Sequence, residues 1–146
     1  MLLHDPTTKE AIKRRIAALQ PSTQRRWGKM TVDQMLWHVN CSLENALGRF
    51  PVKDVWLPMP RSWVKFLVLR TTMRHKNART AKEYVAQGQH DFVAERERLL
   101  RLIDEFTARP FEGDWHDNAF MGAMTGQDWS LLQAKHLDHH LSQFGV

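Results

Sequence analysis

Apolar residues along most of this chain recur three or four positions apart, which is the spacing of one face of an α-helix. Two predicted helices begin with a capping box, in which side chains three positions apart satisfy free backbone amides: Thr31 with Gln34, and Thr125 with Asp128. Gly48 supplies a stop after the first of these. The four predicted long helices run from Thr7 or Thr8 to about Leu19, from Thr31 to about Leu47, from about His90 to Ala108, and from Thr125 through the C-terminal histidines.

The segments between the long helices are rich in proline or in polar residues. Ser62 can cap a short, apolar helix that is predicted from Trp63 to about Met73. Four long helices, one short helix and no strand pattern predict an all-α fold, with residues 1–146 forming a single helical bundle domain. The predicted connections are residues 50–61, which hold three prolines, residues 74–88, which are polar and aperiodic, and residues 111–124.

Composition places the chain among ordinary globular proteins. It has 146 residues, of which 42% are hydrophobic and 25% are charged. The longest apolar stretch, residues 66–69, lies between Lys65 and Arg70 and is far too short to span a membrane. The N-terminus lacks the long apolar run of a secretion signal. The single cysteine, Cys41, excludes an internal disulfide, so we expect a cytoplasmic protein.

The formal net charge is +5, with basic clusters that are interleaved with acids. A basic surface can attract nucleic acid, anionic lipid or an acidic small substrate. No nucleic-acid recognition motif accompanies the charge, so we do not expect nucleic acid as the main partner. Charge alone does not decide the function.

Three imidazoles lie within five residues near the C-terminus: His136, His139 and His140. His136 and His140 are four residues apart, so on a helix they lie on the same face and can point at one metal ion. That face is otherwise apolar, and burying an imidazole without a partner costs roughly 1–3 kcal/mol. Either a shared metal ion or separate hydrogen bonds would satisfy the pair, and the spacing leaves both interpretations open. His139 lies to the side, at the expected rim.

His38 is the natural third ligand, because a catalytic metal typically takes three protein ligands and leaves one position open. Two helices with similar capping boxes would bring their histidines to one level of a bundle. His38 nonetheless lies beside the apolar stripe of its helix, where it can face a groove or solvent. Cys41 is either a soft ligand or an inert core residue. His116 is a candidate to border the site, and Gln143 to orient a ligand.

The segment Gln34-Met35-Leu36-Trp37-His38-Val39, followed by His136-x-x-His139-His140-x-x-Gln143, resembles the DinB-like (YfiT-like) superfamily of metalloenzymes. The closing residues resemble an uncharacterised branch that ends in a His-Leu-Asp-His-His-Leu-x-Gln-Phe-Gly motif. The resemblance covers most of the chain, from about Thr7 to Gly145. It implies a four-helix bundle with up-down-down-up topology, and a divalent metal ion (zinc or nickel first, iron as an alternative) held by His38, His136 and His140.

Superfamily members with known activity include S-transferases that use low-molecular-weight thiols. The resemblance therefore implies a metal-dependent enzyme that transfers a thiol to a small electrophile. Asp138 lies on the opposite face of its helix from the histidine pair and offers no general base there, which favours transfer over hydrolysis. A metal-dependent hydrolase and a non-catalytic metal- or ligand-binding bundle are the alternatives. We expect a small-molecule partner, no membrane partner, and a homodimer as an open possibility.

Overall fold

The computed structural model describes residues 1–71 and 80–146, and these residues form helices and connections without a strand. This confirms the predicted all-α fold. Within these two ranges, no helix is both long enough and apolar enough to cross a membrane. The helices are α1 (Pro6–Ala18), α2 (Val32–Ala46), α3 (Arg61–Arg70), α4 (Phe92–Ala108) and α5 (Gly126–Gln143), and a single 3-10 turn spans Lys82–Tyr84.

The two predicted capping boxes are present at the starts of α2 and α5. The backbone amide of Thr31 donates to the side-chain oxygen of Gln34 at 3.1 Å. At α5 the exchange is reciprocal, since the Thr125 amide donates to Asp128 and the Asp128 amide donates to the Thr125 hydroxyl. These caps set the starts of the two histidine-bearing helices.

Two other long helices begin at an aspartate that the sequence analysis did not single out. Asp5 accepts hydrogen bonds from the amides of Thr7 and Thr8, so α1 begins at Pro6. Asp91 accepts from the amide of Ala94, so α4 begins at Phe92 and not at His90. An aspartate just before a helix satisfies free amides better than the residues around it, which explains both shifts.

The predicted cap of α3 is wrong. Ser62 lies inside the first turn, and the helix begins at Arg61 after Pro60. The Pro60 carbonyl accepts from the amides of Trp63 and Val64, so proline begins the helix without any side-chain cap. The helix ends at Arg70, where Thr71 is already extended, so the prediction that it continues toward Met73 is wrong at Thr71, and residues 72–73 lie outside the described residues. Of the predicted 74–88 connection, residues 80–88 are described and contain the 3-10 turn.

Apolar side chains from every long helix meet in one core, and α3 adds Val64. The connection that follows α4 also contributes, through Trp115, Met121 and Met124. The largest fully buried side chains are Trp129, Phe106, Leu3, Ile16, Leu19, Met35, Leu36, Leu43, Leu99, Ile103, Leu137 and Leu141.

Polar contacts show the direction of α2 relative to its neighbours. Asn40 donates to the carbonyl of Glu95, and Glu44, one turn later, pairs with Arg98 at 2.8 Å. Later residues of α2 thus contact later residues of α4, so the two helices run in the same direction. Toward α5 the order is reversed, because Ser42 contacts Gln133 whereas the earlier His38 contacts the later His136.

The contacts of α1 show its direction in the same way. His4, just before α1, contacts Ser130, and Arg15 near the end of α1 contacts Asp138, so α1 and α5 run in the same direction. Toward α4 the contacts run in opposite directions: Lys9 pairs with Asp104 at 2.7 Å, and the carbonyl of Leu19 accepts from Arg96. Each of the four long helices therefore packs against two of the others, and α3 packs against α5.

Candidate metal centre

Helices α2 and α5 bring three imidazoles together. The Nε2 atom of His136 lies 3.0 Å from Nε2 of His38 and 3.1 Å from Nε2 of His140. One ligand nitrogen from each ring lies within 4.8 Å of the other two, which is close enough for one metal ion. His38 and His140 are buried, and His136 is half-buried. The structure thus assembles the three residues that the resemblance implied as ligands.

The spacing of these nitrogens fits a common metal. Nitrogen ligands bind zinc at about 2.0–2.1 Å, which puts two ligand nitrogens of a tetrahedral or octahedral site roughly 3.0–3.4 Å apart. The two Nε2 distances from His136 fall at the short end of that range. The third pair, His38 and His140, has its ligand nitrogens within 4.8 Å.

Hydrogen bonds on the far side of two rings determine which nitrogen carries the proton. The backbone carbonyl of Tyr84 lies 2.9 Å from Nδ1 of His38, and a carbonyl can only accept. Gln143 donates its Nε2 to the carbonyl of Trp27 at 2.8 Å, so its Oε1 faces Nδ1 of His140 at 2.9 Å. Both Nδ1 atoms must therefore donate, and both neutral rings point an Nε2 lone pair at His136.

The same environment keeps the imidazoles neutral. Burial lowers the pKa of His38; the hydrogen bond that His38 donates to the Tyr84 carbonyl opposes this, and the nearby His139 adds to the lowering. Burial and the adjacent His140 and His38 place the pKa of His136 well below its usual value. Burial, with His38 next to it, lowers the pKa of His140 to about 3. Neutral imidazole is the form that binds metal, so the site is in its ligating state at neutral pH.

The three imidazoles cannot satisfy all of their Nε2 atoms by hydrogen bonds to one another. If His136 carries a proton on Nε2, it can donate that proton to His38 or to His140 but not fully to both. One pair of nitrogens is then left facing each other at about 3 Å, lone pair to lone pair, in a buried place where an unsatisfied polar group is costly. A single cation would accept all three lone pairs, so the residues present fit a bound metal.

The other residues that the sequence analysis placed near the site divide into those that contact His140 and one that lies outside the three-histidine group. Gln143 lies in it, through its hydrogen bond to His140. His139 is half-buried and lies edge-on to His140 and to Trp27, at the rim as predicted. His116 is exposed, and its carbonyl accepts from the indole of Trp129, outside the three-histidine group.

Cys41 does not belong to the three-histidine group. It is buried, and that burial raises the pKa of its thiol to about 12. A protonated thiol is a poor ligand, so the interpretation of Cys41 as an inert core residue fits the structure better. Asp138 lies away from the histidines, as predicted, and pairs with Arg15 at 2.7 Å.

Two contributors to the site were missed by sequence reasoning. Tyr84 acts through its backbone carbonyl, which has no signature in a sequence. The turn at Trp27 and Gly28 holds the amide of Gln143 and requires glycine, since Gly28 has φ +84° and a Cβ there would overlap Gln143 Nε2. A glycine in a turn is too common a signal to have revealed this role.

The chain belongs to the DUF1569 family, described as a protein family of unknown function, which matches residues 3–145. The match includes all three histidines and both helices that carry them. Comparison with curated proteins gave no match, and comparison with solved structures gave none.

Proposed function

We propose that His38, His136 and His140 bind one divalent metal ion, with zinc or nickel favoured and iron as an alternative. The observation that carries this proposal is the convergence of three Nε2 atoms whose rings are held in the ligating tautomer from behind. When bound, the ion would act as a Lewis acid that favours the deprotonated form of a coordinated thiol.

We infer a catalytic rather than a structural metal site. Structural zinc sites usually close all four positions with protein ligands. In the described part of the chain the ligand group ends at three histidines, and the single cysteine, Cys41, is a buried thiol outside the group.

The reaction proposed is transfer of a low-molecular-weight thiol to a small electrophile. The thiol would lose its proton to solvent, its sulfur would form a bond to the electrophilic carbon, and that carbon would release its leaving group. The three histidines would hold the ion that favours the thiolate, and the contacts of Tyr84 and Gln143 would keep the rings in place. Among described residues, no carboxylate hydrogen-bonds to the three imidazoles, so none of them is an obvious base to activate water. The absence of such a carboxylate supports thiol transfer over hydrolysis. Hydrolysis is the second candidate reaction.

We also propose that the four long helices form the up-down-down-up bundle of DinB-like proteins. The support comes from the order of contacts: α2 advances with α4 and against α5, whereas α1 advances with α5 and against α4. The long connection between α2 and α4, which includes α3, is sufficient for a parallel return. An experimental structure that traces the four helices in another order would overturn this part of the proposal.

The metal is tested by elemental analysis of purified, untagged protein. We expect close to one equivalent of zinc, nickel or iron per chain in the natural protein, and a loss of nearly all of it in a His136→Ala/His140→Ala variant. His116→Ala is the matched control, because it removes an exposed imidazole outside the site. A natural protein that stays metal-free after reconstitution would refute the metal site.

The reaction is tested separately, with protein loaded with cobalt as a coloured probe. Adding glutathione or 2-mercaptoethanol should produce a thiolate-to-cobalt absorption band that the double variant lacks. Turnover of an alkylating electrophile should then require both metal and thiol. A loaded site that gives no band with any small thiol, but releases product from esters or amides, would favour the hydrolase. A loaded site without either activity would favour the non-catalytic bundle.

A further inference from the structure

Helix α3 exposes a complete helical face of large apolar side chains. Trp63, Phe66, Leu67 and Arg70 are spaced i, i+3, i+4 and i+7, so they lie on one face. The first three side chains are 65%, 61% and 46% exposed, and together they line an open surface groove. An exposed cluster of this size on a helix otherwise docked to a core is typical of an interaction surface.

Helix α3 is packed against the core although one of its faces is exposed. Val64 is buried in the core, and Val68 and Leu69 pack against it. The ammonium group of Lys135 on α5 donates to carbonyls at the C-terminal end of α3, at 3.2 Å for Val68 and 2.7 Å for Thr71, with Leu69 as a third acceptor. The fold therefore holds α3 in place while its apolar face points outward.

The preceding connection adds to the same apolar character. Trp56 is 80% exposed and Met59 is exposed as well, both within the residues that lead into α3. Tryptophan at the surface is typical of proteins that insert side chains at the boundary between lipid headgroups and acyl chains.

The charge of the chain is concentrated in this region. Between Arg49 and Lys82 the sequence holds nine lysine and arginine residues and one acid, Asp54, whereas the remainder holds twelve basic residues and fifteen acids. The described residues of this stretch carry a formal charge of +5, from six basic residues and Asp54. Six of its nine basic residues lie in the described part of the chain.

The acids that contact α3 are already paired. Asp54 binds Arg61 at 3.1 Å and Asp128 binds Lys65 at 2.6 Å, and both cations lie off the exposed apolar face. Arg70 lies at the end of that face, with its guanidinium 5.6 Å from the centre of the Phe66 ring. A cation whose stem covers an aromatic ring is the arrangement that interfacial helices use to keep charge at the headgroup level.

We propose that the α3 face binds the surface of an anionic lipid membrane, with Trp63, Phe66 and Leu67 inserted among the lipids and Arg70 at the phosphates. This departs from the expectation from the sequence that no membrane is a partner. The proposed binding is to the membrane surface. A second copy of the chain is a poorer occupant, because pairing the face with itself would bring two strongly basic regions together. Nucleic acid accounts for the charge but not for Leu67 on the face or for the exposed Met59 before it.

The proposal does not depend on the metal. It does bear on the candidate metal centre, because Lys135 precedes His136 in the sequence and its ammonium group donates to the Thr71 carbonyl at the end of α3. Binding at α3 would hold the candidate metal centre close to the lipid surface, where small electrophiles of low polarity concentrate.

The test is sedimentation of the full chain with vesicles of phosphatidylcholine alone and with about one third phosphatidylserine. We expect binding to the anionic vesicles only, with a blue shift of tryptophan emission as Trp63 leaves water. A Trp63→Ser/Phe66→Ser variant should lose at least tenfold in affinity. The matched control is Val85→Ser/Val93→Ser, which removes two exposed apolar side chains away from α3.

The charge is tested in the same way. Arg70→Glu should weaken binding to anionic vesicles several-fold, whereas Arg14→Glu on the exposed side of α1 should weaken it much less. Circular dichroism of each variant confirms that it is folded.

Four results would overturn the proposal. These are the absence of binding to either vesicle, binding that the Trp63→Ser/Phe66→Ser variant retains, binding of a DNA or RNA oligonucleotide but not vesicles through the same residues, and dimerisation through α3 in place of lipid binding.

Discussion

Nε2 of His38 and Nε2 of His136 lie 3.0 Å apart, although 98 positions separate the two residues in the chain. Each ring is carried by a helix that begins at a capping box, and the packing of α2 against α5 brings them to the same level. Two nitrogens at this distance need either a shared proton or a shared cation.

Gly28→Ala is expected to weaken metal binding by roughly 10–100-fold, the usual effect of disturbing a partner behind a ligand. A Cβ at Gly28 would displace the amide of Gln143, which orients His140. Competition with a chelator of known affinity measures the change.

The control for this variant is Gly113→Ala. Gly113 also has a positive φ, +101°, but a Cβ there meets nothing within 4 Å. It should reproduce the backbone strain and leave metal affinity unchanged. Equal losses of affinity in both variants would show that Gln143 has no part in holding the metal.

Acid should destabilise the metal-free protein. The pKa of His140 is about 3 in the fold, below the ordinary value near 6.5, so the unfolded chain binds more protons between these values. The stabilising contribution is therefore fully present above about pH 6.5 and is lost as pH falls toward the folded pKa. Urea unfolding between pH 7 and pH 4 should show a falling free energy of unfolding.

His140→Gln should flatten that dependence by up to about 1.4 kcal/mol per pH unit, the limit for one titrating group. His116→Gln, at an exposed position, is the comparison that should leave the slope as it was. An unchanged slope in His140→Gln would mean that this imidazole is not held neutral by the fold.

Gln133→Leu should lower the free energy of unfolding by about 1–3 kcal/mol. Gln133 is fully buried and exchanges hydrogen bonds with the hydroxyl and the carbonyl of Ser42, which joins α5 to α2 near the histidines. The apolar replacement leaves the Ser42 hydroxyl without this partner. Urea unfolding at neutral pH measures the loss, and Gln127→Leu, at an exposed position of the same helix, should change it little.

Lys135→Met should loosen the end of α3 without removing the metal. The ammonium group satisfies three carbonyls there, and methionine keeps most of the stem but donates nothing. Amide hydrogen exchange should become faster in the last turn of α3 than in α2 or α4. Lys29→Met, at an exposed turn, is expected to leave that exchange unchanged, and loss of metal from Lys135→Met would contradict a purely local role.

The sequence by itself determined the helical class, the two capping boxes and the pairing of His136 with His140 on one face, because these depend on residues three or four positions apart. The same local rules misplaced the start of α3, where Pro60 outcompetes Ser62, and the start of α4, where Asp91 serves as the cap.

Only the tertiary structure decided the rest of the site. Whether His38 faced solvent or the pair depended on how α2 packs against α5, and that is a long-range contact. The carbonyl of Tyr84 and the turn at Gly28 support the rings through backbone groups, which every residue has and no sequence pattern distinguishes. The sequence also could not show that the apolar face of α3 points outward, because a short apolar helix has the same sequence pattern whether one side or both sides are buried.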